Sequence, residues 1–340
     1  MSRTDAPVEL ALQLMQVEST SGQEGDVVNL MERLLRDRGW RVERIGVSAG
    51  RDALLACGDD AIDVTLSTHL DTVPPFIAPS LDGEVLRGRG ACDAKGIAAS
   101  MMCAAARLRA RGVRVALLFV VGEETTHDGA HAANARATTS RVLINGEPTE
   151  NTLAIGTKGA MRVLVRARGR AAHSAYPHLG ESAIATLVER LYALRLLQLP
   201  SDPVLGETTV NIGMVSGGVA DNVVAPWAEA RLMARLVGAS DEVFELLRAW
   251  AGRTVTIERG VTIPAIRLGV LPGYATSVAA YATDIPALSK WGTPYLYGPG
   301  SIHVAHTVDE YVRVADLERA VDDYERIAVE ALAVDQRQRP

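Results

Sequence analysis

The sequence predicts an α/β protein: a mainly parallel mixed sheet with helices on both faces, interrupted by an inserted ferredoxin-like α+β domain. Three observations predict it. Wholly apolar segments such as VTLS (64–67), VRVALLFVV (113–121) and RVLIN (141–145) alternate with helical stretches, which is how strands covered on both faces read. Near residue 156 the style changes to alternation, with Met161, Val163 and Val165 set against Arg162, Arg166 and Arg168, as in a strand with one polar face. The first style returns near residue 268.

The elements follow in order. A short helix covers roughly 6–17, and Ser21-Gly22-Gln23-Glu24 reads as a capping box. The helix it opens carries Val27, Val28, Leu30, Met31, Leu34 and Leu35 and stops at Gly39. RVERI begins the first strand. VTLS, a helix from about Lys95 to Ala110, the strand at 113–121, a helix near 129–135 and RVLI come next. The inserted part has a strand, a helix over about 181–199, the strands TTVNIGMV and AEARLMARLV, the helix SDEVFELLRAW and the strand TVTIERG. That is the β-α-β-β-α-β order of a ferredoxin-like unit. SVAAYATD, PYLYGPG and a terminal helix over about 315–333 close the chain. The expected organisation is therefore 1–156 and 268–340 as two parts of a metal-binding catalytic domain, with 157–267 inserted between them.

Composition narrows the function. At 340 residues, 48% hydrophobic and 22% charged, the chain has the balance of a globular protein. A net charge of -6 and a pI near 5.7 argue against nucleic acid as a partner. No segment approaches the roughly 18 uninterrupted apolar residues of a membrane helix, and MSRTDAPVEL has no apolar signal core, so a cytoplasmic protein is expected. Three cysteines, Cys57, Cys92 and Cys103, with no C-x-x-C pair suggest neither a disulfide framework nor a thiolate metal site.

The chemistry is carried by His69, Asp93, Glu124, Glu147 and His306. His69, Glu124 and Glu147 stand just past apolar strands, and in open α/β sheets such strand ends converge on one ligand site. Clustered carboxylates repel unless a cation holds them. Imidazoles and carboxylates without thiolates suit zinc, with cobalt or manganese as substitutes. Two histidines and three acids serve two ions if one acid bridges, and Asp93, on a turn between Gly90 and Gly96, is the best bridge. Asp71 is placed to accept the second ring N–H of His69 and fix its tautomer. Glu123, beside a ligand, is free to take a proton from a water on the metals and return it to a leaving amine, which makes amide hydrolysis the natural reaction. His127 and His131 are four apart but lack the H-E-x-x-H arrangement, and they read as structural.

Five segments in this order carry a resemblance: Ser67–Pro74, Gly88–Gly96, Gly122–Thr125, Asn145–Thr149 and Gly298–His306. They resemble the acetylornithine deacetylase and succinyl-diaminopimelate desuccinylase family of co-catalytic zinc aminoacylases and carboxypeptidases, the deacetylase form most. The resemblance implies that His69, Asp93 and Glu147 hold one metal, that Asp93, Glu124 and His306 hold the other, and that Glu123 is the base. It implies that the insert is a lid and dimerisation domain whose His173 reaches into the partner subunit's site to stabilise an oxyanion. Asn222 and Arg235 would clamp the substrate carboxylate, a contact suited to a planar guanidinium, and Gly300 and Ser301 would complete the substrate site.

The implied activity is removal of an N-acyl group from a small N-acyl amino acid, with N-acetylornithine in arginine biosynthesis first. A dipeptidase or carboxypeptidase on the same scaffold, a succinyl-diaminopimelate desuccinylase, and a hydrolase releasing lysine or ornithine from an acidic carrier protein are the alternatives. The basic run Lys158, Arg162, Arg166, Arg168 and Arg170 could dock such a carrier. The chain departs from the family at 268–273, where a helix usually stands.

Overall fold

In the computed structural model, which describes residues 6–338, the elements run α1 (Pro7–Met15), α2 (Gly25–Asp37), β1 (Arg41–Ser48), β2 (Arg51–Cys57), β3 (Val64–His69), β4 (Ser80–Asp82), β5 (Val85–Arg87), α3 (Lys95–Ala110), β6 (Val115–Val120), α4 (Asp128–Asn134), β7 (Val142–Asn145) and β8 (Leu153–Thr157). They continue with β9 (Gly159–Arg168), α5 (Ala183–Leu194), β10 (Ser201–Asp202), β11 (Gly206–Glu207), β12 (Thr209–Gly217), β13 (Trp227–Leu236), α6 (Ser240–Ala251), β14 (Val255–Ile263), β15 (Ile266–Arg267), β16 (Thr276–Ala279), β17 (Thr293–Leu296), β18 (Tyr311–Arg313) and α7 (Val314–Gln338). The chain divides into two units. One holds the residues up to Ile155 with Leu268–Ser277 and Thr283 onward, the other Gly156–Arg267 with Val278–Ala282.

The first unit is built on a sheet in the order β1-β2-β6-β3-β7-β17-β8. Its four central strands, β6, β3, β7 and β17, are parallel, while β1, β2 and β8 pair antiparallel at the sides. Every residue of β3, β6 and β7 is buried, as their unbroken apolar sequences require. Side chains of β6 alternate between two cores. Leu117, Phe119 and Val121 join Leu14, Met31, Met101 and Tyr324 of α1, α2, α3 and α7. Ala116, Leu118 and Val120 join Ala130 and Ala133 of α4 and Leu288 on the opposite face. A small sheet, β18-β5-β4, pairs Val312 with Leu86 and so draws the loop before β18 onto the loop after β5.

One detail differs from the sequence reading and one agrees with it. Ser21 does not cap α2: its hydroxyl donates to Asp71 Oδ2 at 2.7 Å, and Glu24, the residue before the helix, accepts from Gly22 N–H and pairs with Arg51. The capping box is therefore not formed, because each of its partners is taken by a distant group. Residues 268–273 contain no helix, and Gly269 lies against the Tyr295 ring, where a Cβ would come within 2.5 Å of it.

The second unit is an antiparallel sheet, β12-β13-β9-β14, with α5 and α6 packed on it. Met161, Val163 and Val165 face Leu187, Leu191, Val243 and Leu247, while Arg162, Arg166 and Arg168 are exposed. The basic run is answered across strands: Arg166 pairs with Glu258 and lies 3.7 Å from Glu229, Arg170 lies 3.6 Å from Glu181, and Lys158 donates to the Glu207 carbonyl. Ser182 caps α5 by accepting the Ala185 N–H. Among the described residues no helix is long and apolar enough to cross a membrane.

Candidate metal centre

Parallel pairing of β6, β3 and β7 brings their carboxyl ends together. His69 ends β3, and Glu123 and Glu124 follow β6 through Gly122, whose φ is +75°. Only glycine serves there, since a Cβ would stand 2.1 Å from Asp128 Oδ1. Glu147 follows β7, and the pairing of β18 with β5 carries His306 toward Asp93.

Asp93, the expected bridge, lies between the two histidines. Asp93 Oδ1 is 2.9 Å from His69 Nε2 and Asp93 Oδ2 is 3.2 Å from His306 Nε2, so one carboxylate joins the two imidazoles. Glu124 Oε1 is 3.0 Å from His306 Nε2. His69, Asp93 and Glu124 offer ligand atoms within 4.8 Å of one another. Glu147 is buried beside them, and its Oε1 has no hydrogen-bond partner. His306 adopts a left-handed backbone, φ 64°, a conformation rare outside glycine and retained at working sites.

Asp71 acts differently from the sequence expectation. The nearer acceptor to His69 Nδ1 is the Asp71 backbone carbonyl at 2.9 Å, with the carboxylate Oδ1 at 3.5 Å. A carbonyl can only accept, so Nδ1 carries the hydrogen toward it. The Asp71 carboxylate instead accepts the backbone N–H of Glu123 at 3.1 Å and of Glu124 at 3.2 Å. It thereby fixes the turn that presents both glutamates.

A second brace was invisible in the sequence. Glu310 Oε1 accepts the backbone N–H groups of Cys92 and Asp93, both at 3.2 Å, and its Oε2 takes Arg89 Nη1 at 2.6 Å. Arg89 and Glu310 are both buried. A buried pair of this kind is held for geometry more than for stability, and here the geometry is that of the Asp93 backbone.

Burial raises Glu123 well above the usual carboxyl range, and the neighbouring Glu147 charge adds to it. Glu147 is raised well above that range by burial, with Asp93, Asp284 and Glu124 contributing. Glu124 is raised by burial against the hydrogen bond from His306. For Asp93, burial is outweighed by His306 and His69, and its carboxyl is lowered. The Asp93 and Glu124 hydrogen bonds push His306 up to about 10. Burial acts to lower His69, but the acids of Asp71 and Asp93 outweigh it. Burial thus disfavours charge on the three glutamates, and nearby cations would favour it. The orphaned Glu147 oxygen, the bridging Asp93 and a donor set of imidazoles and carboxylates fit a pair of divalent ions of the zinc, cobalt or manganese type.

The remaining expected residues lie in other surroundings. Ser301 Oγ donates to Glu150, and Gly300 and Ser301 line a cavity of about 280 Å³ with Glu150, Tyr311, Arg313 and Asp316. In the second unit, His173 is exposed and forms an isolated bridge with Val223, and Ser174 N–H donates to the Asn222 carbonyl, so His173 and Asn222 are neighbours. Arg235 is half-buried with no acid against it among the described residues, and burial lowers its pKa. His127, read as structural, lies against Glu123 and Asp284.

Residues 65–330 match the model of peptidase family M20/M25/M40. A probable carboxypeptidase of Paracoccidioides brasiliensis is 37% identical over 370 residues, covering 94% of this chain and 84% of its own. An M20 peptidase-domain protein of Schizosaccharomyces pombe is 38% identical over 331 residues, covering 92% and 82%. The structure of a tripeptidase from Staphylococcus aureus superposes with a TM-score of 0.81 over 97% of this chain and 99% of its own, at 19% identity, a likeness of fold alone.

Proposed function

The chain belongs to peptidase family M20/M25/M40, and from that premise we propose that it is a two-metal carboxypeptidase of short peptides, releasing a residue that bears a free carboxylate. The observation that carries the metal-dependent reaction is Asp93 held between His69 and His306 with Glu124 and Glu147 alongside. The peptide substrate is supported by the 37%-identical relative, named a probable carboxypeptidase. A second reading is removal of an acetyl group from an amino acid, N-acetylornithine first. Thr283-Asp284-Ile285-Pro286, which resembles the deacetylase form, favours it.

His69, Asp93 and Glu147 would hold one ion, and Asp93, Glu124 and His306 the other. When bound, such ions polarise the substrate carbonyl and lower the pKa of a water molecule toward neutrality. His69 presents Nε2 because its Nδ1–H is directed to the Asp71 carbonyl. Glu123, lifted well above the usual carboxyl range by burial, is tuned to accept the water's proton on its carboxylate and deliver it to the departing amine nitrogen. Asp71 aims that carboxylate by gripping the Glu123 backbone N–H.

Arg235, half-buried and without an acid, is suited to the substrate's terminal carboxylate with Asn222, and His173 to the oxyanion. A homodimer through the second unit is supported by apolar side chains left exposed on it: Ile184, Val188 and Tyr192 along α5, and Met214 and Val215 on the edge strand β12.

The test is one panel on zinc- and cobalt-loaded protein: N-blocked and free dipeptides, N-acetylornithine, N-acetylcitrulline and succinyl-diaminopimelate, with released amino acid quantified. Cleavage of the peptides above all others is the expected result. Turnover confined to acetylated amino acids would select the second reading, and no amide cleavage at all would reject both.

A further inference from the structure

We propose that Glu123, His127 and Asp284 form a third site for a divalent transition-metal ion, and that an ion bound there inhibits the enzyme by occupying its base. The inhibition rests on the reading of Glu123 given above; the site itself does not.

The three side chains offer ligand atoms within 4.8 Å of one another, with none shared with the group of His69, Asp93 and Glu124. His127 Nδ1 is 2.8 Å from Asp284 Oδ1 and 3.8 Å from Glu123 Oε1. Ligand atoms around a tetrahedral zinc ion, each about 2.0–2.2 Å from the metal, stand about 3.3–3.6 Å from one another. The two distances bracket that value, so an ion there asks the histidine ring to move by about half an ångström from Asp284 toward Glu123, with the two acids, within 4.8 Å of each other, closing on it. One imidazole with two carboxylates is a zinc-type donor set that leaves a fourth position to solvent.

Asp284 supplies the independent indication. Its side chain is 1% exposed, and its Oδ2 has no hydrogen-bond partner, so a buried carboxylate next to this imidazole is left half-satisfied. Such groups are costly to bury unless a proton donor or a cation completes them. Glu123 and His127 are 11% and 12% exposed, buried enough to be held and open enough to be reached.

The frame is already rigid. Glu123 N–H is fixed by Asp71, and His127 N–H donates to the Gly122 carbonyl at 2.8 Å. His127 itself is in the left-handed region, φ 55°, and Asp128, next along, is paired with Arg51 at 2.6 Å. Asp284 is anchored by the turn in which its carbonyl accepts from Ala287 and Leu288. A turn held this way presents His127 to both acids rather than to solvent, which the sequence spacing did not reveal. An ion on these three groups takes the Glu123 lone pair that would otherwise receive a proton, so catalysis stops without loss of the two working metals.

The experiment titrates zinc into chelator-stripped full-length protein by equilibrium dialysis, with bound metal counted by mass spectrometry. His127→Gln and Asp284→Asn are titrated beside it, their folding checked by thermal melting. The expected result is a third, weaker equivalent in the parent chain that falls in affinity by more than about tenfold in each variant, with the first two equivalents unchanged. Inhibition by excess zinc, expressed relative to each variant's own uninhibited rate, should shift to higher zinc by the same factor. A parent chain that saturates at two equivalents, or variants that keep the third, overturns the site. A third equivalent lost in both variants with zinc inhibition unmoved overturns the claim that the ion acts through the base. The binding isotherms use no substrate, so they are decided separately from the peptidase reading.

Discussion

The two units treat their surfaces in opposite ways. In the first, β3, β6 and β7 are buried at every position, and the polar residues are gathered at their carboxyl ends. In the second, the inner face of the sheet is covered by α5 and α6, yet β12 stands at an open edge and α5 turns Val188 and Tyr192 outward, the latter 68% exposed. The contrast teaches that the two kinds of strand leave different parts of themselves free. A strand covered on both faces has only its end free to act, whereas an edge strand is free along its length and invites another chain.

That division can be broken at four points, in falling order of effect. Glu123→Gln should lower kcat by about 10²–10⁴-fold while metal content, read by mass spectrometry, stays at the parent level. Retention of most activity would remove Glu123 from its role. Next, Leu118→Ala in the doubly covered sheet should cost about 2–5 kcal/mol, read as a fall in the urea midpoint.

Glu310→Gln should weaken metal binding by about 10–100-fold, because the loop presenting Asp93 loses its anchor. Adding Arg89→Met should restore stability but not metal affinity, since the second change removes only the unpaired buried charge. Smallest is the paired change Val188→Ser with Tyr192→Ser. It should leave the stability of the isolated chain within about 0.5 kcal/mol per site while sedimentation shows a shift to monomer. A large loss of stability would mean that these residues pack within the chain.

Residues of the candidate metal centre are legible because unbroken apolar strands announce burial, and burial makes the polar residue after each strand conspicuous. His69, Glu124 and Glu147 have that signal; Asp93 was found from its glycine-flanked turn. The braces have none. Arg89 and Glu310 are 221 positions apart and meet only because β18 pairs with β5. Ser21 and Glu24 had the right types for a capping box, but local spacing could not show that Asp71 and Arg51 would claim them. Asp71 is legible only in part: a sequence shows which side chain is near a histidine, not that the same residue's carbonyl lies nearer. His127 matches no helical metal motif, and its neighbours come from before the turn and from residue 284.

The segment between α1 and α2 has a practical bearing on how this protein is handled. Val17 accepts from the buried Lys95, Ser19 exchanges hydrogen bonds with Leu70 and Thr72, and Ser21 donates to Asp71. These few residues strap down the loop from which His69 and both glutamates take their positions. Any shortened form that begins at α2, as a designer trimming the start of the chain might choose, would cut the strap and loosen the centre from behind. Residues 17–21 therefore belong inside any shortened form, and a protease cut there should release metal before it releases structure.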